Sequence, residues 1–278
     1  MGAVLRESWR EFREELADLV LPAACAGCGL PRVRGELCVR CAGALAHAVP
    51  RRARPVPPPP GLPRVYGALP YADEVRRVLL AHKERGALRL AAPLGALLAS
   101  AVREAAVCEG AVREAAVRKA VGRTAPARGR RSPVRRGELE RPPGEGPLTL
   151  VPVPSARRAV AGRGHDPVRR IALAAARDLR RQGRPVRVLT VLRQRRTVAD
   201  QAGLTARERR SNLSGALELA PGSAKLLAGG ETLLVDDVMT TGASLAEAAR
   251  AVAERTRHEP GAYAAAVVAF RPRGGAVE

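Results

Sequence analysis

The sequence predicts an α/β fold, a parallel sheet with helices on both faces, preceded by a small four-cysteine metal module. Three observations predict it. Short apolar runs alternate with helix-period segments from residue 148 to 270, the pattern of a parallel sheet wrapped by helices. One of those runs, Leu233-Leu234-Val235, passes through Asp236-Asp237 and Thr240-Thr241-Gly242-Ala243-Ser244 into a helix from Leu245 to Arg255. Near the N-terminus, Cys25-x2-Cys28 and Cys38-x2-Cys41 have the spacing of two zinc knuckles.

At 278 residues the chain is long enough for one sizeable domain and a small appendage. Its net charge is +21 and its pI about 11.4, which suggests a polyanionic partner. Coding bias competes with that reading, because among 48 basic residues only Lys83, Lys119 and Lys225 are lysine. Aromatic residues are 2% of the chain, too few for base-stacking platforms. No apolar run approaches the ~20 residues that span a bilayer, so no membrane insertion is expected. The N-terminus, broken by Arg6, Glu7, Arg10 and Glu11, does not read as a secretory signal. A cytoplasmic protein is expected.

In chain order, residues 1–20 carry Leu5, Trp9, Phe12, Leu16 and Leu19 at helical spacing. That is an amphipathic helix, for docking on the next module or for a membrane surface. Residues 21–49 form the zinc-binding module. Its four ligands, Cys25, Cys28, Cys38 and Cys41, would close the coordination sphere, so the Zn²⁺ is structural, with Gly27 and Gly29 allowing the tight turn. Residues 50–63 hold seven prolines and read as a stiff linker between this module and the main domain. Residues 64–108 supply a strand over 64–71, a helix over 73–85 and another from Leu88 to about Val107.

The heptapeptide AVREAAV occurs at 101–107 and again at 111–117, a duplication that lengthens a helix or has no role. Residues 118–136 then hold eight basic and no acidic side chains. The span 109–146 therefore reads as a basic, disordered insertion, or as a polyanion-binding arm. The main domain, 147–271, opens with a strand over 148–153. Ser155, Arg157 and Arg158 follow and suit an anion. Asp166-Pro167 caps and opens a helix through about Arg181. His165 beside it reads as structural. Val186 to Leu192 is the next strand, followed by a polar, basic segment to Leu213. Ala262 to Phe270 is the last strand, and 272–278 a tail.

The turn after Val235 carries the chemistry. A strand ending at a helix N-terminus offers free backbone N–H groups and a positive dipole end to a phosphate. Gly242 lets the backbone approach, and Thr240, Thr241 and Ser244 offer hydroxyls. Asp236 and Asp237 would repel a phosphate, so vicinal sugar hydroxyls beside a divalent cation suit them better. The ligand so described is a ribose 5-phosphate. An acidic turn before an ordinary capped helix remains the plainer alternative.

LLVDDVMTTGAS resembles the phosphoribosyl-pyrophosphate (PRPP) binding signature of type I phosphoribosyltransferases. With the four-cysteine knuckle and the block Val151-Pro152-Val153-Pro154 through Arg163-Gly164, it is similar, in the same order, to the ComF family of competence-associated phosphoribosyltransferase-like proteins. Tyr71, Lys83 and Gly86 fall where that family has its tyrosine and Lys-Phe-x-Gly, with Glu84 in place of the phenylalanine. His165 and Asp166 depart from the family's Arg-Gly-Phe-Asn-Gln. The resemblance implies a type I phosphoribosyltransferase domain binding PRPP with Mg²⁺. Asp236 and Asp237 would hold the ribose hydroxyls, and Thr240, Thr241, Gly242, Ala243 and Ser244 the 5-phosphate. Ser155, Arg157 and Arg158 would meet the pyrophosphate, and Arg193, Arg196, Gln201, Arg209 and Asn212 would belong to a mobile loop closing over it. It further implies transfer of the phosphoribosyl group to an acceptor, or a non-catalytic nucleotide-sensing module. The partners it implies in DNA uptake are single-stranded DNA and a competence helicase.

Overall fold

The computed structural model describes residues 24–123, 147–196, 205–228, 230–256 and 263–272. The expected helix at 4–20, most of the basic stretch, Gln201 and the end of the tail lie outside them. Six strands make the main sheet, in the spatial order β1 (Arg51–Ala53), β2 (Arg64–Pro70), β8 (Ala264–Phe270), β7 (Thr232–Met239), β3 (Leu148–Pro152) and β4 (Val186–Val188). Every neighbouring pair is parallel except β1 with β2. The central strands β7 and β8 are covered on both faces, which is why they read as unbroken apolar runs rather than alternating ones.

One face of the sheet carries α2 (Asp73–Glu84), α3 (Ala91–Arg123) and α5 (Pro167–Arg181). The other carries α8 (Ala243–Thr256). Asp166 is the N-cap of α5, its carboxylate accepting from the Arg169 N–H at 3.2 Å, and Pro167 is the first helical residue. The buried stripe of α5, Val168, Ile171, Ala172, Ala175 and Leu179, packs on α3.

α3 runs through both AVREAAV copies to Arg123, so the expected domain boundary at 109 falls inside a helix. Glu109 explains the continuity. Its buried carboxylate takes the Arg64 guanidinium and, at 3.1 Å, the Tyr66 hydroxyl, fastening the middle of α3 to β2. Leu88–Val112 is also long and apolar enough to cross a membrane, contrary to the sequence expectation, but 56% of its most apolar window is packed inside the protein.

The proline-rich segment is not a spacer. Arg51–Ala53 adds an edge strand to the sheet, and Pro55, Pro59 and Pro63 are buried against the domain. An edge strand needs only one hydrogen-bonded side, so the prolines that follow it are tolerated there. The cysteine module is correspondingly docked. Leu45 of α1 (Val39–Ala46) joins the core around α3, and the Arg77 guanidinium of α2 donates to the Gly27 carbonyl.

The strand expected over Val186–Leu192 divides. β4 ends at Val188, and β5 (Leu192–Gln194) instead pairs antiparallel with β6 (Leu217–Leu219) in a separate two-stranded sheet. Val186 faces the α3 side of the main sheet, whereas Val191 and Leu192 belong to the core under α8. The apolar run thus serves two cores in succession. The segment expected as a loop also contains α6 (Ala206–Leu213), with Thr205 and Glu208 forming a capping box. Two short helices, α4 (Arg157–Arg163) and α7 (Ala224–Leu227), complete the set among the described residues.

Candidate functional site

β7 does not stop at its apolar run. Pairing with β8 continues in one register through Asp236–Val267, Val238–Ala269 and Met239–Phe270. Asp236 and Asp237 therefore lie inside a strand and are buried, 8% and 7% exposed. At this level the alternation of side chains slips across the sheet. Val268 and Ala269 of β8 both face the α3 core, as do Ala68 and Leu69 of β2. In β7 the two carboxyls answer the irregularity. The Asp237 N–H donates to Asp236 Oδ1 at 2.9 Å and the Val238 N–H to Asp237 Oδ1 at 2.8 Å. Each aspartate thus serves as an acceptor for an amide of its own strand, a structural task the sequence did not reveal.

Lys83, reaching in from α2, sets its Nζ 3.4 Å from Asp237 Oδ2. The Asp237 charge raises the Lys83 pKa more than its own burial lowers it. Asp236 behaves differently. Burial and the neighbouring Asp237 charge push its carboxyl well above the ordinary carboxylate range, and Lys83 opposes the shift without cancelling it. Asp236 therefore favours its proton in the fold, while Asp237 is the carboxylate that faces the Lys83 ammonium.

The turn beyond Met239 leads into α8. Gly242 has φ +77°, and its carbonyl accepts the Ala246 N–H at 2.9 Å, so it stands at the helix start. Thr240, Thr241 and Ser244 are half-buried, while Gly242 and Ala243 are buried. One side of the turn is closed by the proline-rich segment. A Cβ on Gly242 would come within 2.8 Å of Leu62 Cδ1 and 3.4 Å of Pro55 Cγ. Gly242→Ala combines a left-handed backbone with that collision, and the expected destabilisation is about 1–3 kcal/mol. A urea titration of wild type and variant reads it directly.

The other expected residues divide. Arg209 of α6 donates to Thr240 Oγ1 at 3.4 Å, with its Nε buried and unpaired. Its guanidinium thus reaches the turn. Arg193 is spent on Glu218 across the β5–β6 hairpin at 2.7 Å. Arg196 donates to the carbonyls of Asn212 and Ser214 at 2.8 and 3.0 Å. Arg193 thus braces the β5–β6 pair and Arg196 ties the end of β5 to α6, and both are engaged there rather than at the acid pair. Ser155 donates to Asp166 at 3.4 Å, tying the end of β3 to the α5 cap, and Arg158 is exposed in the first turn of α4. Arg157 begins that helix.

The four cysteines form the second centre. Sγ atoms of Cys25, Cys28, Cys38 and Cys41 all lie within 4.8 Å of one another, and three of the residues are buried. The Cys38 N–H donates to Cys25 Sγ at 3.3 Å and the Cys41 N–H to Cys38 Sγ at 3.5 Å. Gly29 adopts φ +78°, and a Cβ on Gly27 would sit 2.9 Å from Cys41 Sγ. Burial raises the Cys25 thiol, but backbone N–H groups from Cys28, Cys38 and Gly27 outweigh it and bring the pKa to about 6. Burial and the neighbouring thiols push Cys41 up to about 12. One thiolate is favoured and further negative charge is resisted, the condition that a divalent cation relieves. Four sulfurs at this spacing fit a tetrahedral metal such as zinc.

No protein-family model matches the chain, and no curated protein matches it. The sequence and its geometry therefore carry the functional argument. In the sequence Lys83 falls at a position of the family resemblance, and no local motif marks it as a site residue. The signal that could have promoted it is scarcity, because one of only three lysines in an arginine-rich chain stands where a second carboxylate needs a charge.

Proposed function

We propose that the chain is a type I phosphoribosyltransferase-like protein that binds PRPP, or a related ribose 5-phosphate, at the turn between β7 and α8. The observation that carries this reading is the sequence of features along one central parallel strand. A buried carboxylate pair is followed, two residues on, by a Thr-Thr-Gly-Ala-Ser turn opening a fourteen-residue helix. Ligands of open α/β sheets sit at the carboxyl ends of the strands, and helix N-termini favour phosphate. Half-buried Thr240, Thr241 and Ser244 would hold the 5-phosphate, with Arg209 beside Thr240. Asp237 and Asp236 would meet the ribose hydroxyls.

Mg²⁺ is commonly held by one or two carboxylates together with substrate phosphates. Asp237 fits that role, since its contact with Lys83 is long enough to be exchanged; Asp236, which favours its proton, does not. When bound, the ion would neutralise a pyrophosphate group. Transfer to an acceptor is the reaction this donor site would serve, and the structural zinc belongs to the scaffold.

The test is calorimetric titration of PRPP with Mg²⁺ into wild type and Asp236→Asn/Asp237→Asn. Wild type is expected to bind, and the double variant to lose at least about tenfold in affinity, the loss of one charge-assisted contact. Equal binding by both, or none by wild type, removes the reading. The net charge of +21 favours a second reading, a non-catalytic module for single-stranded DNA working with a helicase in DNA uptake. It requires the logarithm of the binding constant to fall with log salt, by about 0.7 per phosphate neutralised.

A further inference from the structure

Most arginines with a partner in this fold have an acidic one. Arg64 pairs with Glu109, Arg163 with Glu84, Arg184 with Glu231, Arg193 with Glu218 and Arg250 with Glu247. At one edge of the sheet the pattern fails. A cavity of about 620 Å³ is lined by Arg51, Arg52, Arg54 and Arg271, with Ala53, Phe270 and Pro272, and no carboxylate among the described residues lines it. None of these four arginines makes an ion pair among the described residues. All four are exposed.

The cleft is built, not only charged. Arg51 lies opposite Gly67 in the β1–β2 ladder. A Cβ on Gly67 would fall 2.2 Å from Phe270 Cδ1, so the missing side chain makes room for that ring. The Arg51 guanidinium sits over the ring, its Cζ 5.1 Å from the centroid. Cation–π contact fixes a guanidinium plane that would otherwise roam. Arg271 is held by its backbone, its N–H donating to the Met239 carbonyl at 3.0 Å. The Arg51 guanidinium is thereby held over β8 and the Arg271 backbone is tied to the end of β7, the strand that carries the acid pair, although the cleft shares no side chain with that pair.

We propose that this cleft is a binding site for a compact oligophosphate, an anion with two or three linked phosphate groups, separate from the β7–α8 turn. Guanidinium forks match phosphate oxygens bidentately, and four of them with no counter-charge among the described residues call for a ligand of concentrated negative charge. The volume is that of a nucleotide-sized ligand. Phe270 is 5% exposed, its face already covered by Arg51, so the cleft offers no stacking surface to the bases of a single strand.

The experiment is calorimetry on the full chain with sodium tripolyphosphate and no Mg²⁺, in parallel with orthophosphate, ATP and a thymidine oligonucleotide. Tripolyphosphate is expected to bind once per chain, with orthophosphate at least about tenfold weaker, and ATP binding alongside it identifies the nucleotide as the source of the phosphates. Arg51→Ala/Arg271→Ala should weaken tripolyphosphate at least about tenfold, since each charge-assisted bond carries roughly that factor or more. Arg51→Lys keeps the charge and should still lose affinity, because it loses the fork and the stacking plane. Asp236→Asn/Asp237→Asn should leave it unchanged, which separates this site from the PRPP site whatever the fate of that reading. The proposal is overturned if tripolyphosphate does not bind, if the arginine variants bind it as wild type does, or if the oligonucleotide binds more tightly through the same arginines.

Discussion

Cys41→Ser is expected to strip the metal from the N-terminal module and unfold residues 24–46, the largest single-residue effect in the molecule. The module has little else to hold it. Its own buried cluster is Cys25, Cys38 and Cys41, with only Cys28, Val33 and Leu37 against it. Apparent binding free energies of structural zinc are on the order of 10–16 kcal/mol at neutral pH, far above what so small a core supplies. Serine leaves three ligands and removes the thiol against which Gly27 is packed. Metal analysis should find about one zinc per wild-type chain and none in the variant, and hydrogen exchange should lose protection at the amides of Ala26, Gly29 and Ala42. Cys108→Ser is the control, because Cys108 lies in α3 outside the four-cysteine cluster and donates to Glu104, and its metal content should match wild type. Full protection in a metal-free wild type would falsify the zinc assignment. The main domain should feel the loss as well, through Leu45, whose burial against α3 contributes about 1.5–3 kcal/mol.

Local chemistry was legible in the sequence and long-range chemistry was not. Asp166-Pro167 announces a helix start by itself, and the doubly buried β7 and β8 show as apolar runs. Four cysteines at fixed spacing can hardly be read otherwise. Each of these signals is complete within a dozen or so residues. The departures involve partners far apart in the chain. The prolines of 55–63 look like a spacer until Leu62 is found against Gly242, and Val186–Leu192 looks like one strand because an apolar run cannot say which of two cores it faces. The helix opened by the Thr205–Glu208 capping box lies in a stretch whose many arginines read only as a polar, basic segment. At the site, the turn and its hydroxyls came from sequence, whereas the bond between Lys83 and Asp237 spans 154 positions and left no local trace. Nor could sequence show that the two aspartates accept the amides of their own strand.

Asp236→Asn and Lys83→Met are expected to move stability in opposite directions, and pH decides how far. Asp236 has its folded pKa raised by burial and by Asp237. Below its ordinary value near 3.8 it is protonated folded and unfolded, and its burial is harmless. As pH rises the unfolded chain releases the proton first and the folded chain retains it, so stability declines until the folded pKa is passed. Asparagine keeps the oxygen that accepts the Asp237 N–H and never carries the charge. It should therefore gain about 1 kcal/mol or more at pH 7 and little at pH 4. Lys83 has the opposite sense, because Asp237 raises its folded pKa above the ordinary 10.5. Its contribution is complete below that value and is lost as pH climbs through the raised one. Lys83→Met removes the cation facing the buried Asp237; because the lysine is a third exposed and the contact is 3.4 Å, the cost at neutral pH is about 1–3 kcal/mol. Urea midpoints for the three proteins at pH 4, 7 and 9 measure both effects, and an Asp236→Asn curve parallel to wild type would mean that Asp236 is charged in the fold. An asparagine variant that is more stable yet fails to bind PRPP would identify the carboxyl as kept for its ligand against the interest of the fold, which is how a buried functional group differs from a structural one.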